Sequence, residues 1–64
     1  MNEWQQQVID EHAQLDARMK KLDAFTNSPD FQKLTVEERM DLSFQVGHMY
    51  NYRKILARRI GRFT

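Results

Sequence analysis

Turn-forming residues cluster at only one place in this chain, the segment Thr26-Asn27-Ser28-Pro29-Asp30. This segment contains the only proline, and the other residues of the 64-residue chain include just two glycines. Breaker residues interrupt regular structure, so a chain that has them once, near its middle, is divided into two long elements. The segment therefore predicts two elements joined by a short connector at about residues 26–35.

The stretch before the connector is predicted to be a helix over about residues 3–25. Its apolar side chains recur at steps of three, four and seven, which is the spacing of one helix face. This row consists of Trp4, Val8, Leu15, Met19 and Leu22, with His12 filling the gap. Within the connector, Ser28 is a suitable cap and Pro29 a suitable first residue for one short helical turn.

The stretch after the connector is predicted to be a second helix over about residues 36–62. Thr35 and Glu38 have the spacing of a capping box, in which each side chain accepts a hydrogen bond from the other's backbone N–H. The apolar row behind them again has helical spacing; it consists of Leu42, Val46, Met49, Leu56, Ile60 and Phe63. The predicted fold class is all-α, a single antiparallel two-helix hairpin domain spanning residues 1–64.

Both predicted helices carry small or apolar residues on the side opposite these rows. Chains this short usually need disulfides, a metal or partner chains in addition to their core, and this chain has no cysteine. We therefore expect a homo-oligomeric bundle of hairpins, with scattered surface residues as the alternative. The expected oligomer interface consists of Ile9, Ala13, Ala17, Met40, Phe44, Gly47 and Ile55.

Composition argues against several classes of protein. The two histidines, His12 and His48, lie far apart in the sequence, and cysteine is absent, so we expect no metal site. No run of about 20 apolar residues and no signal peptide is found, which predicts an intracellular protein outside the membrane. Because no phosphate-binding loop and no nucleophile motif is present, we expect neither a cofactor nor enzymatic activity.

Basic residues dominate the end of the chain. Residues 42–64 hold five basic residues and no acidic one, whereas residues 1–41 hold nine acidic and five basic ones. Guanidinium groups hold phosphates and aromatic rings stack on bases, so this mixture suits a nucleotide. In an antiparallel hairpin Trp4 lies beside the same end. The candidate ligand-binding residues are Trp4, Lys20, Lys21, Tyr50, Arg53, Arg58, Arg59 and Arg62.

Each of these candidates also has a structural explanation. The two lysines can compensate the helix dipole, and the hairpin sets Glu3, Asp10 and Glu11 opposite the arginines as intramolecular partners. Arg53 occupies the apolar row of the second helix, where its charge needs either a partner or a bound anion. Duplex nucleic acid is not expected as a ligand, because the chain carries a net charge of only +1 and its basic patch is small.

The order of residues resembles a group of small bacteriophage proteins. The positions that carry the resemblance are Val8-Ile9-Asp10-Glu11, Leu15-Asp16, Lys21-Leu22, Phe25, Phe31, Leu34, Glu38, Leu42, Gln45, Met49, Tyr52, Leu56, Arg59-Ile60 and Phe63. They are similar to short helical hairpins related to the hairpin domain of phage anti-CBASS and anti-Thoeris sponge proteins. The chain departs from the pattern of many relatives at His12.

The resemblance implies a function without catalysis in the host cytoplasm. Proteins of that group commonly form hexamers and sequester cyclic oligonucleotides or cyclic ADP-ribose derivatives in pockets between protomers, which deprives a host defence effector of its signal. An aromatic residue early in the first helix and a lysine late in it are matched by Trp4 and by Lys20 or Lys21. The alternative function is an oligomeric interaction module that binds a host or phage protein through Met40, Phe44 and Ile55. A less favoured alternative is a weak nucleic-acid binder that uses the basic residues from Arg53 to Arg62.

Overall fold

The chain folds into two long antiparallel helices with a short helical turn between them. In the computed structural model, which describes all 64 residues, α1 spans Glu3–Thr26, α2 spans Pro29–Gln32 and α3 spans Val36–Phe63. The molecule measures 45 × 15 × 14 Å along its principal axes. The predicted all-α hairpin is confirmed, and both long helices extend one residue beyond their predicted ends.

A capping box that was not predicted begins α1. The Asn2 side chain accepts from the Gln5 backbone N–H at 3.1 Å, while the Asn2 N–H donates to Oε1 of Gln5 at 3.0 Å. The signal was present, because an asparagine followed three residues later by glutamine satisfies the same two orphan N–H groups as a threonine and a glutamate do.

The predicted caps of α2 and α3 form only in part. Thr35 caps α3 by accepting from the Glu38 N–H at 3.2 Å, but the Glu38 side chain does not return the bond. Pro29 is the first residue of α2, as predicted, yet Ser28 does not cap it. The Ser28 hydroxyl instead donates to the Phe25 carbonyl at 2.6 Å, because the end of α1 leaves that carbonyl without a helical partner.

The hydrophobic core is a single narrow seam between α1 and α3. Its buried members are Val8, Leu15 and Met19 of α1 and Leu56 of α3, and Leu56 is the only side chain that is completely buried. Met49, Ile60 and Phe63 pack against this cluster and are partly buried. At the connector, the rings of Phe25 and Phe31 meet edge to face with centroids 6.2 Å apart, which closes that end of the seam.

The outer side of α3 is exposed and apolar. Met40, Phe44 and Ile55 have 53%, 61% and 44% of their surface exposed, and a Cβ built on Gly47 would meet nothing within 4 Å. On α1, Ala13 and Ala17 are exposed, whereas Ile9 is half-buried. None of the helices is both long and apolar enough to cross a bilayer.

Candidate functional site

The open end of the hairpin brings together the first turn of α1 and the last turns of α3. The rings of Trp4 and Phe63 pack edge to face there, with centroids 5.4 Å apart and planes at 79°. Trp4 retains 51% of its surface exposed, because the seam ends at this point and no third element covers it. A large flat ring is therefore packed against Phe63 and leaves about half of its surface accessible to a ligand.

Two arginines share a cleft with this aromatic pair. Arg59 and Arg62, one helical turn apart on α3, line an open cleft of about 410 Å³ together with Trp4, Gln5 and Phe63. The ion pairs of the chain are Lys20–Asp16, Lys33–Asp30 and Arg53–Asp16, so neither arginine has a carboxylate partner. Their guanidinium groups are free to form paired hydrogen bonds with an anion.

The acidic residues predicted to neutralise the arginines do not do so. Glu3 forms no ion pair, Asp10 accepts from the Gln6 side-chain amide at 3.0 Å, and Glu11 accepts from the Tyr52 hydroxyl. The Glu11 carboxylate beside it raises the pKa of Tyr52 above 10.0, with desolvation as a smaller cause. The intramolecular explanation for the basic end of the chain is therefore wrong for these three acids.

Arg53, in contrast, is fully explained by a partner within the chain. Its Nη1 lies 2.6 Å from Oδ1 of Asp16, while Lys20 Nζ lies 3.1 Å from Oδ2 of the same carboxylate. Hydrogen bonds from Lys20 and Arg53, in that order, lower the pKa of Asp16 below 3.8. The positive charge of Arg53, which lies in the apolar row of α3, thus needs no bound anion.

The remaining candidates lie on other parts of the surface. Lys54 Nζ and the Arg53 guanidinium lie 4.7 and 5.4 Å from the centre of the Tyr50 ring, so Tyr50 faces cations of its own chain. Lys21 borders a separate open hollow with Arg18. Arg58 borders the outer side of α3 beside Lys54.

The structure therefore divides the eight predicted residues. Trp4, Arg59 and Arg62 meet in one cleft. Lys20 and Lys21 lie roughly 24 Å from Trp4 along α1, at about 1.5 Å per residue, so a single chain cannot bring them to that cleft. Sequence reasoning missed Gln5 and Phe63 as cleft residues and Asp16 as the acidic partner. Phe63 packs against the core as predicted, and it also lines the cleft because it lies in the last turn of α3.

No curated protein and no solved structure matches this chain significantly. A family model does match it: the Sequestin model covers residues 2–62, which includes both long helices almost entirely. By this match over nearly its whole length, the hairpin belongs to the Sequestin family.

Proposed function

We propose that this protein binds and sequesters an anionic cyclic nucleotide that serves as an immune signal. The candidate signals are cyclic oligonucleotides and cyclic ADP-ribose derivatives, and the setting is phage anti-defence in the host cytoplasm. The protein acts by retaining the ligand and not by catalysis. The Sequestin name is consistent with sequestering a molecule, and the chemistry of the open end supports an anionic, flat ligand.

One observation carries this proposal: Arg59 and Arg62 have no carboxylate partner and border the exposed ring of Trp4. A guanidinium forms two parallel hydrogen bonds with a phosphate, and these charge-assisted bonds are roughly twice as strong as neutral ones. A base stacked on an aromatic ring contributes about 1–3 kcal/mol. The cleft thus offers guanidinium groups for the phosphate of a nucleotide and an aromatic ring for its base.

The proposed site is completed by other copies of the chain. The cleft of one hairpin is open, whereas small-ligand sites bury most of their ligand. A second protomer would cover the exposed side of Trp4 and could bring Lys20 or Lys21 to it. We propose a homo-oligomer with its pockets between protomers, and the resemblance to the phage sponge proteins favours a hexamer.

The test uses Trp4 as its own probe, since it is the only tryptophan in the chain. Purified protein is titrated with single cyclic dinucleotides, cyclic trinucleotides and cyclic ADP-ribose derivatives while tryptophan fluorescence is recorded. We expect one of them to change the emission of Trp4 and to appear as a discrete added mass in native mass spectrometry.

Variants then separate the site from general charge. Arg59→Gln and Arg62→Gln should each weaken binding by about ten-fold or more, the equivalent of about 1.4 kcal/mol. Trp4→Ala, which lacks the fluorescent probe and is therefore measured by calorimetry, should weaken binding to a similar extent. Lys33→Gln removes the same charge at the connector and should bind like the wild type. Full binding by the three cleft variants would contradict the proposed site.

A further inference from the structure

We infer that the outer side of α3 pairs in antiparallel fashion with α3 of a second copy of this chain. This pairing deepens the proposed function, because pockets between protomers need an assembly of chains. In that respect it rests on the proposed function. The surface concerned is the outer stripe, defined here as Met40, Phe44, Gly47, Asn51 and Ile55. These residues recur at steps of three and four, so they line one face of the helix.

The outer stripe has the character of a helix–helix seam that lacks its partner. Its three large apolar side chains are all about half exposed or more. Near the connector it borders an open, mostly apolar groove of about 440 Å³, formed in part by Phe31, Val36 and Met40. Apolar surface that runs along a helix on the side away from its own core is typical of an interaction site.

Charge complementarity identifies the partner as a second copy and sets its direction. Glu37 and Asp41 flank the stripe at its start, whereas Lys54 and Arg58 flank it at its end. None of these four residues has an ion-pair partner within the chain. Antiparallel pairing places the acidic half of one α3 beside the basic half of the other, and parallel pairing would place like charges together.

One register pairs Met40 with Ile55 and also matches opposite charges, with Phe44 opposite Asn51. Placing Met40 opposite Ile55 of the second copy also places Glu37 opposite Arg58, because each lies three positions further outward. The Ile55 side chain of the second copy then lies over the apolar groove. The twofold axis passes between Gly47 and His48. A glycine there leaves room for the second helix, and nothing within its own chain approaches Gly47.

The experiment measures the molar mass of the unliganded protein by sedimentation equilibrium over a range of concentrations, at low salt. We expect wild-type protein to self-associate. Glu37→Arg and Arg58→Glu should each lower the association constant by roughly ten-fold or more, since each places like charges together at both ends of the pair. The double variant should restore most of the association, because the opposite charges then meet again.

Controls separate pairing from folding. Glu38→Arg makes the same change in the same helical turn, about 100° round the helix, and should associate like the wild type. Circular dichroism checks that all variants remain helical. A wild-type chain that stays monomeric, or a double variant no better than the single ones, would overturn the inference.

The same measurement keeps this inference apart from the proposed function. Because no ligand is present, association with rescue in a protein that retains no nucleotide contradicts only the proposed function. A protein that retains a nucleotide but shows no rescue contradicts only the α3 pairing.

Discussion

Asp16 is the residue at which the charges in the middle of the hairpin converge. It lies on α1 and accepts hydrogen bonds from Lys20 of the same helix and from Arg53 of α3. Its side chain and that of Arg53 are both about 30% exposed, so solvent weakens the pair without abolishing it. The contact joins the two helices beside the seam and neutralises the one basic residue in the apolar row.

The lowered pKa of Asp16 predicts how its contribution to stability depends on pH. A carboxyl whose pKa is lower in the folded state stabilises the fold above its unfolded pKa, and the effect is lost as the pH falls through the folded value. We expect Asp16→Asn to lower the unfolding midpoint at neutral pH. The difference from wild type should shrink as the pH falls below 3.8.

Urea denaturation between pH 2 and pH 8, followed by circular dichroism, measures this difference. Asp30→Asn is the control, because Asp30 pairs only with Lys33 inside the connector and joins no two long helices. A difference between wild type and Asp16→Asn that stayed constant at low pH would argue against the ion pairs as its cause.

At the scale of the element, the ends of the two long helices are fixed by local hydrogen bonds. Asn2 and Thr35 each accept from the backbone N–H three residues later, which satisfies donors that the helix itself cannot. Neither helix has more than a narrow buried face, so these caps make a larger relative contribution here than in a helix held by extensive packing.

Removal of the α3 cap should therefore be measurable. We expect Thr35→Ala to lower the free energy of unfolding by about 1 kcal/mol, because the Glu38 N–H loses its acceptor. Ser43→Ala is the matched control: this exposed hydroxyl lies inside α3 and donates only to the Arg39 carbonyl, so its loss should change stability little. Chemical denaturation of both variants gives the two values. Equal losses would show that hydroxyl removal, and not capping, is the cause.

In the molecule as a whole, only four buried side chains form the core of a hairpin that is 45 Å long. Leu56 is completely buried and is the one buried member of that core from α3, where it clusters with Val8, Leu15 and Met19 of α1. The small core explains why association would matter for this protein. Burial of a second face adds to the apolar area removed from water, and that area is the main source of stability in small folds.

The small size of the core predicts that loss of the Leu56 side chain lowers the free energy of unfolding strongly. We expect Leu56→Ala to lower the free energy of unfolding by about 2–5 kcal/mol, since a fully buried leucine leaves a cavity in a seam with little else to fill it. Leu22→Ala, at a half-buried position of the same seam, should cost less. Thermal denaturation at equal protein concentrations compares the two. A smaller loss for Leu56→Ala than for Leu22→Ala would contradict this view of the core.

Residue order alone predicts the secondary structure and the side of each helix that forms the seam. Both follow from local rules: the breakers at 26–30 end one helix and Thr35 begins the next. The spacing of Val8, Leu15 and Met19 selects the buried face of α1, and that of Met49, Leu56 and Ile60 selects the face of α3. These rules act over one or two helical turns and can be read from residue order alone.

Which charged residues meet, in contrast, depends on how the two long helices pack together. Both Arg53 and Arg59 are candidate anion ligands in the basic end of the chain, yet Arg53 is neutralised by Asp16 whereas Arg59 has no ion-pair partner and lines the cleft with Trp4. The predicted partners Glu3, Asp10 and Glu11 were wrong because a contact between helices depends on the offset and rotation of α1 against α3. That offset is set by the packing of the whole seam, and a shift of one helical turn, about 5.4 Å, would pair a different set of side chains.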